Sequence, residues 1–356
     1  MASLKNLLQM SQSTPTQFWN DSCATGELRY AIDNGAAGAT TNPVIVGQVL
    51  KNETERYLPV IKSFIHDYRT ASEDDVAWML NEYMAAEGAA MLLPVFNGSG
   101  GKSGFISIQT NAKYYRNPAN MLKQALHFKE LAKNIMVKIP ATEAGIAAVE
   151  ESVFNGVNIN ATVSFTVAQA VCVAEAVERA FKRREHAGLP NDGLCPVCTI
   201  MVGRIEDWLR ETAKEENILT DPEIFDLSGV AVFKHAYEIY KKKNYRTRLL
   251  AAAFRSHLHC SEFVGGDVSM TIPGRWIKML NETDFFGGEM KNRMDIPVDG
   301  KIISQLKKYF KDFSRAYEPD GMKPKEFAHF GASRATLTQF LNGYDEMVGI
   351  IRKVLV

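Results

Sequence analysis

Excess charge of either sign is missing from this 356-residue chain, in which 41 Lys and Arg stand against 41 Asp and Glu. With no net charge there is no global field to attract a polyanion, so nucleic acid and anionic membrane are not expected partners. Cysteine is scarce, at five residues. That odd number, in a large chain without a secretion signal, reads as reduced thiols in a cytosol. The opening MASLKNLLQMSQSTPTQFW lacks the apolar core of a secretory leader. No long run is wholly apolar either. The charge-free stretch 152–174 has the length to span a bilayer, yet it holds Asn155, Asn158, Asn160, Thr162, Ser164, Thr166 and Gln169. Their insertion would be costly, so this is not a membrane span and the expected location is cytoplasmic. An internal repeat and a linker rich in Pro, Gly or Ser are also wanting, so nothing separates a second domain.

The composition is 46% hydrophobic and 23% charged, which supplies a sizeable core and argues against disorder. Short β-rich runs alternate with longer amphipathic ones. The expected strands are 18–22, 37–41, 104–110, 134–140, 157–164, 197–202, 249–254 and 268–272. Stretches such as MLKQALHFKELA and GIAAVEESVF carry apolar residues at helical spacing between them. Eight strand–helix repeats predict a parallel sheet closed into an α/β barrel, and 18–273 is the usual length of one. Residues 55–95 hold enough periodic sequence for two helices between the second and third strands. The 83 residues after Pro273 read as helices with a polar loop near 284–298. The expected organisation is a (β/α)8 TIM barrel over 1–273 with a helical C-terminal extension, 274–356, packed on it.

Several motifs carry less than they suggest. In GSGGKSG (98–104) the Walker pattern requires a glycine where Phe96 stands, and a strand-like run follows where a helix should. Cys195-Pro-Val-Cys198 lacks a second ligand pair for zinc. His257 and His259, with Cys260, fall two apart on a predicted helix and point away from each other. All these read as structural, and no metal is expected. The basic runs Lys182-Arg183-Arg184 and Lys241-Lys242-Lys243 read as solvated helix ends.

IMVKIP (135–140) is more informative, because Lys138 is the only charge in an apolar strand. Alone it reads first as a surface lysine at a strand end. Pointing inward at the C-terminal end of a barrel strand, it would lie where active sites of this fold occur. Desolvation there would lower its pKa and make it a Schiff-base nucleophile. Its company strengthens that reading. Asn160 and Thr162 share one strand face, as do Ser107 and Gln109, and Thr199 and Met201. Arg204 follows the sixth strand and Arg255 the seventh. Each suits either a phosphate or a helix-start salt bridge.

The segments ATTNPVIV (39–46), VKIPATEAG (137–145), NINATVSFTVAQA (158–170), VGRIEDW (202–208), AAFR (252–255) and GGDVSMTIP (265–273) resemble, in order, those of the transaldolase family. FAHFGASRATLTQF also looks like the closing helix of its larger members. The resemblance implies Schiff-base aldol chemistry on sugar phosphates, of the pentose phosphate type, with no metal or organic cofactor. Carried over by motif, Lys138 would be the Schiff-base lysine and Asp21 the acid/base. Asn42 and Asn160 would hold substrate hydroxyls, Thr162 would help position the catalytic water, and Arg204 and Arg255 would bind the terminal phosphate. A homo-oligomer stays open.

The departures from the family pattern matter. Gln109 stands where transaldolases usually carry Glu, and Gln is the state found in fructose-6-phosphate aldolases. Met201 replaces a usual Phe, which is Tyr in the aldolase subgroup. Thr199, at a substrate-binding position, replaces a common Ser, and Ala253 replaces a Ser that assists phosphate binding. Transfer of a dihydroxyacetone unit is therefore the first expectation. The alternatives are an aldolase releasing free dihydroxyacetone, a sulfonated ketose as substrate, and a binding-only relative.

Overall fold

A computed structural model describes residues 6–283 and 290–356. Eight parallel strands close into a barrel in chain order. They are β1 (Gln17–Asn20), β2 (Gly38–Thr40), β3 (Phe105–Gln109), β4 (Ile135–Pro140), β5 (Ile159–Ser164), β6 (Val197–Ile200), β7 (Arg248–Ala251) and β8 (Ser269–Ile272). β8 returns to pair with β1 along four residues. Every residue of β3, β4, β5, β6 and β8 is buried, as expected of parallel strands covered on both faces. The expected eight strands are all present, with ends that differ by a few residues. The seventh stops at Ala251 rather than Phe254 because Ala253 turns to a positive φ of 65°.

Register sets the interior. Gln109 lies beside Lys138, and Lys138 beside Asn160, on three adjacent strands. A slip of one residue would turn any one of these side chains outward. β5 is irregular between Ala161 and Ser164, where Val163 adopts a φ of 52°. Such a conformation is rare for a β-branched residue and must be held by its surroundings. Gln169 holds it. Its amide donates to the carbonyls of Val163 and Ala141, both at 3.0 Å, and its Oε1 accepts from Phe165 N at 3.0 Å.

Between β2 and β3 the chain forms three helices, one more than expected: Pro43–Asn52, Thr54–Asp67 and Glu73–Gly98. The first begins in TTNP. The Asn42 side chain accepts from the backbone N–H groups of Val44 and Ile45, and Pro43 fits the first turn, where no N–H is needed. After β8 come helices Gly274–Glu282, Gly300–Tyr309, Lys311–Tyr317 and Gly331–Leu355. Of the expected polar loop, 284–289 lie outside the described residues, and 290–299 are irregular. Helix Gly331–Leu355 crosses Pro43–Asn52 closely, because a Cβ on Gly343 would lie 2.8 Å from Val44 Cγ2. Tyr344 on it stacks on Trp78 at 5.8 Å.

One basic run differs from expectation. Arg184 is buried rather than solvated, and its guanidinium is taken up by Phe154 O, Pro190 O and Asn191 Oδ1. The glycine-rich loop spends its N–H groups on the end of the preceding helix, on itself and on the residue before β2: Gly100 to Asn97 O, Gly101 to Phe96 O, Ser103 to Ser99 Oγ and Gly104 to Ala37 O. Too few remain to cradle a phosphate. No helix of the described residues is long and apolar enough to cross a membrane.

Candidate active site at the barrel mouth

Lys138 is 3% exposed, and its Nζ donates to Thr41 O at 3.3 Å. Burial pushes its pKa below the ordinary lysine value, and the charge of Asp21 opposes that shift. Asp21 follows β1. Burial raises its carboxyl pKa against the opposing pull of Lys138, the Thr40 hydroxyl and Arg204. Thr40 Oγ1 donates to Asp21 Oδ1 at 2.7 Å and lies 2.6 Å from Thr271 Oγ1. With the Thr40 proton given to Asp21, Thr271 is the donor to Thr40. Desolvation thus drives amine and carboxyl alike towards their neutral forms, and the hydroxyl chain works for the carboxylate.

A cavity of about 280 Å³ opens over this pair at the C-terminal ends of the strands. Six of the nine residues singled out from the sequence line it: Asp21, Asn42, Lys138, Thr199, Arg204 and Arg255. Gln109, Asn160 and Thr162 are buried and do not line it. Asn160 donates to Ser107 Oγ at 3.2 Å and accepts from Thr199 Oγ1 at 2.6 Å, so its amide orients a neighbour. Gln109 Oε1 and Thr162 Oγ1 are buried without a hydrogen-bond partner. Asn42 faces the cavity, but its side-chain oxygen already caps a helix.

The two rim arginines differ in their company. Arg255 makes a two-pronged contact with Asp207, Nε to Oδ1 at 2.8 Å and Nη2 to Oδ2 at 2.6 Å. Arg204 gives an Nη2 N–H to Gln339 Oε1, and its Nη1 stays 3.9 Å from Asp207. Their approach depends on Gly203, where a Cβ would fall 1.8 Å from Ala253 O. His259, on the one-turn helix Leu258–Ser261, accepts from Arg255 N at 3.0 Å. Burial pushes its pKa down to about 4, so it is neutral at physiological pH. Its Nε2 lies 3.5 Å from Glu206 Oε2, and with the imidazole neutral this contact is not an ion pair. Among the described residues no cluster of His, Cys, Asp and Glu is placed to hold a metal.

Two further lining residues were not anticipated from the sequence. Arg275 stands two residues after Pro273 at the end of β8, a position that strand counting alone could have flagged. Phe340 arrives from helix Gly331–Leu355, and nothing local announces it. A larger cavity, about 850 Å³, lies at the opposite end of the barrel. Three of its cations, Arg246, Arg248 and Lys241, are paired with Glu178 and Glu185, Asp267, and Asp295 respectively. Lys138 and Asp21 share the smaller cavity, and active sites of this fold sit at that end.

Residues 18–318 match the family described as Transaldolase/Fructose-6-phosphate aldolase. The chain is 27% identical over 295 residues to the transaldolase of Chlamydia felis, covering 80% of this chain and 79% of that one. It is 24% identical over 233 residues to the transaldolase of Neisseria gonorrhoeae, covering 64% of each. With the match spanning the barrel and the residues around its mouth, the chain belongs to the transaldolase/fructose-6-phosphate aldolase family and is an enzyme of the transaldolase type.

Proposed function

We propose that this enzyme moves a dihydroxyacetone unit from a ketose phosphate to an aldose phosphate through a Schiff base on Lys138. The observation that carries the reading is a lone lysine buried inside the barrel, sharing one cavity with a single carboxyl, Asp21, and with arginines at the rim. Burial holds a fraction of the amine unprotonated, as attack on a carbonyl requires.

In this reaction the neutral Nζ adds to the C2 carbonyl of the ketose, and loss of water with uptake of one proton, which the final hydrolysis gives back, leaves a protonated imine. The Asp21 carboxylate accepts the C4 hydroxyl proton as the C3–C4 bond breaks. The bonding electrons pass to the imine nitrogen as the enamine forms, and the shortened aldehyde departs. Addition of the enamine to an acceptor aldehyde returns the proton from Asp21 to the new C4 alkoxide. Water then releases the lengthened ketose and regenerates the amine. Thr199 and Asn42 would meet substrate hydroxyls, and Arg204 and Arg255 the terminal phosphate. Asn160 acts through Thr199 in this reading. Gln109 and Thr162, buried and outside the cavity lining, would reach a water through their unpartnered oxygens.

A second reading, an aldolase that releases free dihydroxyacetone, is favoured by Gln109, whose amide cannot exchange a proton as a carboxyl would. The experiment is incubation with fructose 6-phosphate and borohydride, followed by intact mass. The expected result is a stable adduct that Lys138→Ala abolishes, with a loss of turnover of about a thousandfold or more. An undiminished adduct in that variant overturns the assignment of the lysine. Free dihydroxyacetone, measured with and without an acceptor aldehyde, separates transferase from aldolase.

A further inference from the structure

Arg204 and Arg255 face one cavity but are held by different kinds of partner. The carboxylate of Asp207 grips Arg255 through two N–H groups and offsets much of its charge. Arg204 keeps the same carboxylate at 3.9 Å, the far end of an ion pair, and gives its hydrogen bond to the side-chain carbonyl of Gln339, while its buried Nε has no partner. An amide oxygen orients a guanidinium without cancelling its charge, whereas a carboxylate does both. Desolvation at Arg204 makes that difference count, because interactions among charges strengthen away from water.

The place of Gln339 is set by its helix. Phe340, the next residue, lines the cavity, and Gly343 packs against Val44 three residues further on. The Tyr344 hydroxyl bonds to the Asp74 carboxylate while its ring stacks on Trp78. Such an anchor leaves the helix little freedom to shift over the mouth.

We propose that Gln339 is a positioning residue for Arg204, and that its lack of charge leaves this arginine available to the anionic end of the substrate. The C-terminal helix thereby takes part in substrate recognition as well as packing. The inference rests on the reading that Arg204 meets the terminal phosphate. A carboxylate at the same place would orient the guanidinium equally well but would compete with the incoming anion.

The test compares the full-length enzyme with Gln339→Glu and Gln339→Ala. Inorganic phosphate is titrated calorimetrically, kcat and KM are measured with fructose 6-phosphate, and borohydride trapping is followed with dihydroxyacetone, which has no phosphate. Gln339→Glu is expected to weaken phosphate binding and raise KM by about tenfold, with kcat and dihydroxyacetone trapping little changed. Gln339→Ala should move both in the same direction by a smaller factor. Phosphate binding and KM in Gln339→Glu equal to wild type would overturn the proposal. So would an equal loss for dihydroxyacetone, which marks a merely structural role. Absence of any adduct in the wild type would sink the Schiff-base reading alone, since the phosphate titration does not involve Lys138.

Discussion

Thr40 is buried outside the cavity lining and yet acts on a group inside it. Its hydroxyl gives a proton to Asp21 and takes one from Thr271, and a donor to the charged form lowers a carboxyl pKa. Replacing Thr40 by Val removes that donor and leaves burial less opposed, so Asp21 should ionise at higher pH than in wild type. In the proposed reaction the imine takes the place of the lysine ammonium, so the acid limb of kcat is expected to report on this carboxyl. That limb is expected to move up in Thr40→Val, and an unmoved limb would separate Thr40 from the acid/base. The ATTNP motif displayed Thr40 from the outset. What it could not display was Thr271, which arrives from β8 at the seam where the barrel closes.

At the level of elements, glycine marks where backbones must touch. The glycine of VGRIEDW lies under the carbonyl of Ala253, itself held at a positive φ beyond β7. Gly203→Ala must displace either the sixth or the seventh strand–helix connection. Overpacking of this kind costs roughly 1–3 kcal/mol, to be read from urea unfolding. The same change should weaken fructose 6-phosphate binding, because Arg204 and Arg255 flank the disturbed contact. A variant as stable as wild type would show that the connections yield more readily than the geometry implies. Strand identity was legible here because buried parallel strands read as apolar runs, while strand ends were not, since a single dihedral at Ala253 ended β7 early. The helix Pro43–Asn52 escaped the count although its Asn-Pro start signal was present.

For the whole molecule, the buried histidine gives stability a pH dependence. His259 has a pKa near 4 when folded, against an ordinary 6.5. Below 6.5 the unfolded chain binds a proton that the folded chain refuses. This contribution is therefore fully present above that pH and is lost as pH falls towards 4. Unfolding midpoints measured between pH 7 and 4 should fall less steeply in His259→Gln than in wild type, whatever the absolute stability of the variant. Parallel curves would mean that His259 takes up a proton as readily folded as unfolded.

The barrel was written in the sequence because strand and helix periods are local properties, repeated eight times, and only one closed arrangement buries them all. Lys138 could be singled out for a similar reason, since a lone charge in an apolar strand is conspicuous without coordinates, whereas Asp21 was reached only through the family resemblance. The company those groups keep was decided by tertiary structure. Asp207 beside Arg255, Gln339 on Arg204 and Phe340 over the cavity are meetings of side chains separated by 48 and 135 residues or brought in by the last helix. The burial of Gln109, Asn160 and Thr162 outside the cavity lining was settled in the same way, by strand register and by the irregularity at Val163. Spacing along a chain reports which face a residue takes, whereas depth within a barrel and the choice of partner emerge only when the faces close on one another.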